Sequence, residues 1–311
     1  MAEPFADRLL RRVRGLGHPL CVGIDPHLDR IPPLFRRGSM RAGEKQTADA
    51  VADFALALLD RVAGRVACVK PQSAFFEALG WRGIEALDRV LRGARDRELL
   101  VVLDVKRGDI GSTAAGYASA YLEEDAPLRA DAITVNPYLG CDSLEPFLQA
   151  AQAAGAGLFV LVRNSNPGSR DLQEQLVDGR PLYRHVAEWL AEPGHRLEGP
   201  ATGWSALGAV VGANAPVAAR EVRQQLPRQL LLVPGYGAQG ARAQEALAGF
   251  VPGPEGVLEG GLVSSSRAVI FPEAGDAGGA GGWERAVETA LQRSIAELVR
   301  AVAPGAISGH C

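Results

Sequence analysis

Eight short apolar runs, each stopped by a polar residue, recur along the chain: LCVGID (20–25), VACVK (66–70), LLVVLDVK (99–106), DAITVN (131–136), GLFVLVRN (157–164), LGAVVGAN (207–214), LLLVP (230–234) and GLVSSSR (261–267). They are continuous rather than alternating, which suits parallel strands covered on both faces; a half-exposed strand would turn polar at every second position. Between them lie segments of helical periodicity, such as TADAVADFALALLDRVAG (47–64) and GIEALDRVLRGARDR (83–97). Eight strands alternating with helices in a chain of 311 residues predict a (β/α)8 TIM barrel in a single α/β domain. An open doubly wound sheet is the competing architecture. The strand ends favour the barrel, because polar groups gather at the C-terminal ends of six runs (Asp25, Lys70, Asp104 with Lys106, Asn136, Asn164 and Arg267), where barrel enzymes place their chemistry.

Two connections are longer than a βα loop needs, at 26–46 and at 165–206, the second carrying a helical pattern around 182–190. The stretch GDAGGAGGW (275–283) reads as a flexible linker into a last amphipathic helix at 284–302. At the other end, Arg8, Arg11, Arg12 and Arg14 are interleaved with Phe5, Leu9, Leu10 and Val13 at helical spacing, which predicts an amphipathic helix lying on the body.

Several functional classes are disfavoured. A net charge of −3 supplies no overall positive field for nucleic acid. The N-terminus lacks the apolar core of a signal peptide, and no run approaches the roughly 18 apolar residues of a membrane helix, so a cytoplasmic protein is expected. Cys21, Cys68, Cys141 and Cys311 share no CxxC spacing, and the first two sit in strand-like runs as small core residues; neither a disulfide nor a zinc site is expected. His18, His27, His185, His195 and His310 are scattered and read as surface residues rather than metal ligands.

The stretch LDVKRGDIGST (103–113) ends the most hydrophobic run in a knot of charge. Residues alternate faces along a strand, so Asp104 and Lys106 enter one cavity while Val105 points toward the helices. Gly108 then lets the chain turn, and Asp109 follows as a third charge able to reach the same cavity or a neighbouring subunit. Asp25 and Lys70, each followed by Pro, end other runs on the same rim. Neighbouring carboxylates stabilise an ammonium, whereas a Schiff-base lysine is normally tuned downward, so Lys106 reads as a proton donor rather than a covalent nucleophile. PGYGAQG (234–240) and SSSR (264–267) follow the seventh and eighth runs, where barrels commonly hold a phosphate with glycine-loop amides and an arginine.

From GIDP (23–26) through KPQ (70–72), DVKRGDIGST (104–113), SNPG (165–168) and PGYGAQG to SSSR, nearly the whole chain resembles the orotidine 5′-phosphate decarboxylase family, in its longer branch. The resemblance implies a homodimer that makes UMP and carbon dioxide in pyrimidine biosynthesis, without metal or organic cofactor. It implies an alternating charged network of Lys70, Asp104, Lys106 and Asp109, with Asp109 and Thr113 supplied to the partner subunit's site. Asp25 and Lys70 would hold ribose hydroxyls, Ser165 the pyrimidine, and Gln239 with Arg267 the phosphate, beside Gly235 and Ser266 of the two phosphate-side stretches. Sugar-phosphate enzymes of the same superfamily share DxKxxD but use magnesium, and resemble one another in a Glu at the end of the second strand. Here that residue is Lys70, whose charge would repel the ion. A catalytically silent phosphate-ligand sensor is a third reading, marked by loss of Lys106 or its carboxylates, and none is lost.

Overall fold

The computed structural model describes residues 3–237, 240–272 and 279–305. All eight apolar runs form strands: β1 (Leu20–Ile24), β2 (Cys68–Pro71), β3 (Val102–Arg107), β4 (Ala132–Val135), β5 (Gly157–Arg163), β6 (Ser205–Val211), β7 (Gln229–Pro234) and β8 (Gly261–Ser265). Neighbours in sequence pair in parallel, and β8 returns to β1 with Leu20 opposite Val263. The remaining seam, between β2 and β3, is joined only by isolated bridges, Val69 to Val101 and Gln72 to Asp104. The result is a (β/α)8 TIM barrel, as the run count predicts.

Its strands are buried almost throughout because helices cover the outside. In α1 (Phe5–Leu16) the apolar stripe Phe5, Leu9, Leu10 and Val13 faces inward, with Phe5 edge-on to Phe159 of β5 at 6.3 Å between ring centroids. The outer ring includes α2 (Lys45–Val62), α3 (Ser73–Glu77), α4 (Trp81–Asp96), α5 (Gly111–Tyr121), α6 (Glu145–Ala154), α7 (Leu182–Trp189) and α8 (Pro216–Gln225). Two short helices follow, α9 (Ala243–Ala246) and α10 (Arg267–Ile270), and then the long α11 (Gly279–Val302).

The structure corrects three local expectations. The last helix begins at Gly279 rather than 284, because the buried Trp283 packs against Phe35 and Phe54 and fixes the early turns; residues 275–278 lie outside the described residues. His18 is buried, not exposed: its ring accepts the Leu20 amide at 3.3 Å, and burial pushes its pKa down. The connection at 165–206 contains, besides the expected helix, a small hairpin of Leu176–Val177 and Arg180–Pro181. Cys21 and Cys68 are buried opposite one another on β1 and β2 and are free thiols, as is the exposed Cys141; Cys311 and His310 lie outside the described residues.

Candidate active site

The charged knot forms at the end of β3, where the strand departs from regular pairing. Leu103 sits opposite Ile133 and Arg107 opposite Val135, so β3 spends more residues than β4 over the same length. The bulge puts Lys106 in the left-handed region at φ 45°. Its amide, freed from the ladder, donates to Thr134 Oγ1 at 2.9 Å. The turn expected at Gly108 is thus made at Lys106 and at Gly111 (φ 51°); Gly108 is needed for space, since a Cβ there would lie 2.7 Å from the Asn136 carbonyl oxygen. Val105 is buried.

Asp104 is the centre of the cluster. Its Oδ2 accepts from Lys70 Nζ at 2.8 Å, and its Oδ1 accepts from Lys106 Nζ at 2.5 Å and from Thr134 Oγ1 at 2.9 Å. Lys70 and Asp104 are buried, whereas the Lys106 side chain is 45% exposed. Burial would push the Asp104 carboxyl up, but the charges of Lys70 and Lys106 hold it well below the usual carboxylate range. Burial likewise disfavours the Lys70 ammonium, yet Asp104 and then Asp25 outweigh it and hold its pKa above the ordinary lysine value.

These directions set a stability test. A depressed carboxyl contributes in full above its unfolded value of ~3.9 and loses that contribution as pH falls; a raised lysine contributes in full below ~10.4 and loses it only as pH rises further. Asp104→Asn, which leaves Lys70 buried against a neutral amide, should cost on the order of 3–5 kcal/mol. Denaturant unfolding should find that loss constant between about pH 5 and pH 9 and smaller below about pH 4. A loss that varies across the middle window would contradict the assignment.

A cavity of about 170 Å³ opens beside the cluster. Lys70, Asp104, Lys106 and Thr134 form one wall, Asn164, Ser165 and Asn166 line it from the β5 end, and Leu161, Val210, Leu232 and Pro234 contribute further. That is below the ~300–1,000 Å³ of a typical ligand pocket, so it takes one ring rather than a whole nucleotide. The β5 loop is held by Arg163, buried at the strand end, whose Nη2 donates to Glu174 at 2.7 Å and Nη1 to Ser169 Oγ at 2.5 Å. Asn214 Nδ2 donates to the Ser165 carbonyl at 2.8 Å, fixing the residue itself.

Asp25 follows β1 near Lys70, with Oδ1 buried and unpartnered, an acceptor left for a hydroxyl. On the far side, Gly235 (φ 99°) and Gly237 (φ 75°) take the chain out of β7 through conformations that favour glycine. Gly237 and the exposed Arg267 line a second, open cavity, and Ser266 packs so tightly over Gly23 of β1 that a Cβ there would fall 1.8 Å from its Oγ. Gln239 lies outside the described residues. Lys70, Asp104, Lys106 and Ser165 therefore share one cavity, with Asp25 close to Lys70. Asp109 and Thr113 do not join them within the chain: Asp109 accepts its neighbour Ile110's amide at 2.8 Å, and Thr113 is exposed on the first turn of α5. Asn136, at a strand end, turns its side chain to the Tyr138 amide instead.

Thr134 and Asn166 are the site residues that the reading of the sequence missed. A lone threonine within the apolar run AITV was the available signal for the first, and its place beside Ser165 in SNPG for the second.

Residues 18–269 match the family model described as orotidine 5′-phosphate decarboxylase / HUMPS family. The chain is 43% identical over 272 residues to an orotidine 5′-phosphate decarboxylase of Rhodopirellula baltica, covering 86% of this chain and 88% of that one. It is 41% identical over 281 residues to one of Deinococcus radiodurans, covering 90% and 94%. Among solved structures, the Leishmania donovani OMP decarboxylase superposes with a TM-score of 0.72 at 32% identity, covering 96% of this chain and all (100%) of that one.

Proposed function

The chain belongs to the orotidine 5′-phosphate decarboxylase / HUMPS family, and from that premise we propose that its cavity removes carbon dioxide from orotidine 5′-phosphate to leave UMP, the decarboxylation of de novo pyrimidine biosynthesis. The observation that carries the reading is the Lys70–Asp104–Lys106 chain on one wall of a ring-sized cavity. The pyrimidine ring enters with its amide edge toward Ser165 and Asn166 and its C6 edge toward Lys106. The bond from C6 to the carboxylate breaks, its electron pair stays on C6, and carbon dioxide leaves. The fixed charge of the Lys106 ammonium stabilises that carbanion and then supplies the proton, with the neutral amine recovering one from solvent. Asp104, accepting from three donors, acts by holding Lys106 in place.

Asp25 and Lys70 hold the ribose hydroxyls in this reading, and the backbone at Gly235 and Ser266 holds the phosphate with Arg267 and Gln239. Lys70 also speaks against the magnesium-dependent alternative, since an ammonium 2.8 Å from the central carboxylate occupies that carboxylate and opposes a divalent ion. The chemistry draws on no cofactor. A silent sensor is disfavoured because the lysines and Asp104 are present and engaged.

The working unit is a homodimer whose subunits exchange Asp109 and Thr113. It is supported by the failure of both residues to reach their own chain's cavity, and by Ile110 (58% exposed) and Tyr138 (75% exposed) on the same rim. No helix among the described residues is long and apolar enough to cross a membrane.

Turnover in D2O tests the reaction: UMP should carry deuterium at C6, and UMP lacking it would remove Lys106, or any solvent-exchanging donor, from the step. The phosphate arm has its own test. Arg267→Ala should raise KM by the equivalent of ~1.5–3 kcal/mol, the worth of a hydrogen bond to a charged group. Orotidine without its phosphate should lose kcat as well as affinity, since remote binding energy organises the site. An unchanged KM in the variant would move the phosphate elsewhere.

A further inference from the structure

Between Lys106 and the Gly108–Asp109 turn stands Arg107, a charge that the decarboxylation scheme leaves unused. It does not line the ring-sized cavity. Its Nη2 donates to Glu77, the last residue of α3, and lies 3.4 Å from the Tyr121 hydroxyl of α5; its Nη1 donates to the Val105 carbonyl at 3.2 Å; and its guanidinium stands 5.4 Å from the Tyr117 ring centroid. Glu77 is itself fixed by Ser73 Oγ, which donates to it at 2.5 Å. The side chain of Arg107 is only 25% exposed.

These contacts span the weakest seam of the barrel. In the backbone ladder β2 and β3 are joined only by isolated bridges, and each carries one of the two lysines that share Asp104. The helix bearing Glu77 begins three residues after Lys70, so the Arg107–Glu77 pair fastens the end of one lysine strand to the end of the other. On the α5 side, Tyr117 and Tyr121 give the same guanidinium a second footing. Lys106, directly before Arg107, holds a left-handed conformation that a lysine adopts only when its surroundings impose it. Thr134 secures the amide of Lys106 from inside the barrel; the outside has Arg107.

We propose that Arg107 is a positioning residue for the proton donor: clamped to Glu77 across the β2–β3 seam and to Tyr117 and Tyr121 of α5, it holds the β3 bulge so that the Lys106 ammonium stays against Asp104 at the reacting edge of the ring. The inference rests on the decarboxylase reading of the site. It assigns Arg107 no contact with substrate and gives Glu77 the role of its anchor.

The test compares two ligands by calorimetry: UMP, and a UMP analogue bearing an oxyanion at C6, whose charge reports where the Lys106 ammonium stands. In Arg107→Met the analogue should bind at least about tenfold more weakly while UMP changes by less than about threefold, and kcat should fall more than KM rises. Glu77→Gln, which keeps its shape, should show the same split more mildly and serves if the first variant does not fold. In a Lys106→Ala background, adding Arg107→Met should leave analogue affinity unchanged within about a factor of two, because the reporter of position is already gone. Equal weakening of both ligands, no weakening of either, or the same loss of analogue affinity in the Lys106→Ala background would overturn the proposal. A wild-type protein that fails to prefer the oxyanion analogue over UMP would instead count against the decarboxylase reading.

Discussion

Lys106→Ala should fold, bind UMP, and turn over orotidine 5′-phosphate at least about three orders of magnitude more slowly, a loss of ~4 kcal/mol or more in transition-state stabilisation. The fold survives because Asp104 keeps Lys70 and Thr134 as donors, so no buried carboxylate is stranded, and because the lysine side chain is nearly half exposed and leaves no closed void. Ground-state binding should survive because, in the proposed reading, ribose and phosphate are held by other residues. Turnover does not, since the substitution removes both the charge facing the carbanion and the proton that quenches it. Steady-state kinetics and UMP titration read the two halves separately. If the variant kept a tenth of wild-type turnover, Lys106 would not be the donor.

Asp109→Ala should also be nearly inactive, and for a reason that can be told apart from an ordinary lesion. If Asp109 serves the neighbouring subunit, each site combines Lys106 of one chain with Asp109 of the other. Mixing inactive Lys106→Ala and Asp109→Ala homodimers then creates, in every mixed dimer, one intact site and one doubly damaged site. Random exchange makes about half the dimers mixed, so activity should recover to roughly a quarter of wild type per site. Exchange demonstrated by mass spectrometry without recovery would return Asp109 to its own chain. Within the chain, Asp109 Oδ1 accepts the adjacent Ile110 amide, while the Lys106 ammonium is paired with Asp104.

The barrel was legible because parallel strands buried on both faces read as unbroken apolar runs, and their C-terminal ends announce themselves by the charge that stops them. Asp104, Lys106 and Lys70 were legible for that reason. The bulge at Lys106 was not, since it depends on Thr134, a residue on another strand, capturing an amide that regular pairing would have used. The start of α11 was misplaced because glycine-rich sequence reads as linker, whereas a single buried tryptophan, Trp283, decides where the helix begins. His18 was misplaced by the same logic: nothing in its neighbours along the chain says that its ring will cap the Leu20 amide inside the fold. Arg107 and Glu77 lie 30 residues apart in sequence, and only the closure of the β2–β3 seam brings them together.

If the Lys70–Asp104–Lys106 wall decarboxylates orotidine 5′-phosphate by charge placement alone, the reaction needs no divalent ion. The most direct measurement is the fall in substrate absorbance on adding orotidine 5′-phosphate to the purified protein after exhaustive treatment with EDTA and in its continued presence. Turnover should run at the same rate with and without chelator, with UMP as the product. Turnover abolished by EDTA and restored by magnesium, or no consumption of orotidine 5′-phosphate by the folded protein under either condition, would contradict the decarboxylase reading.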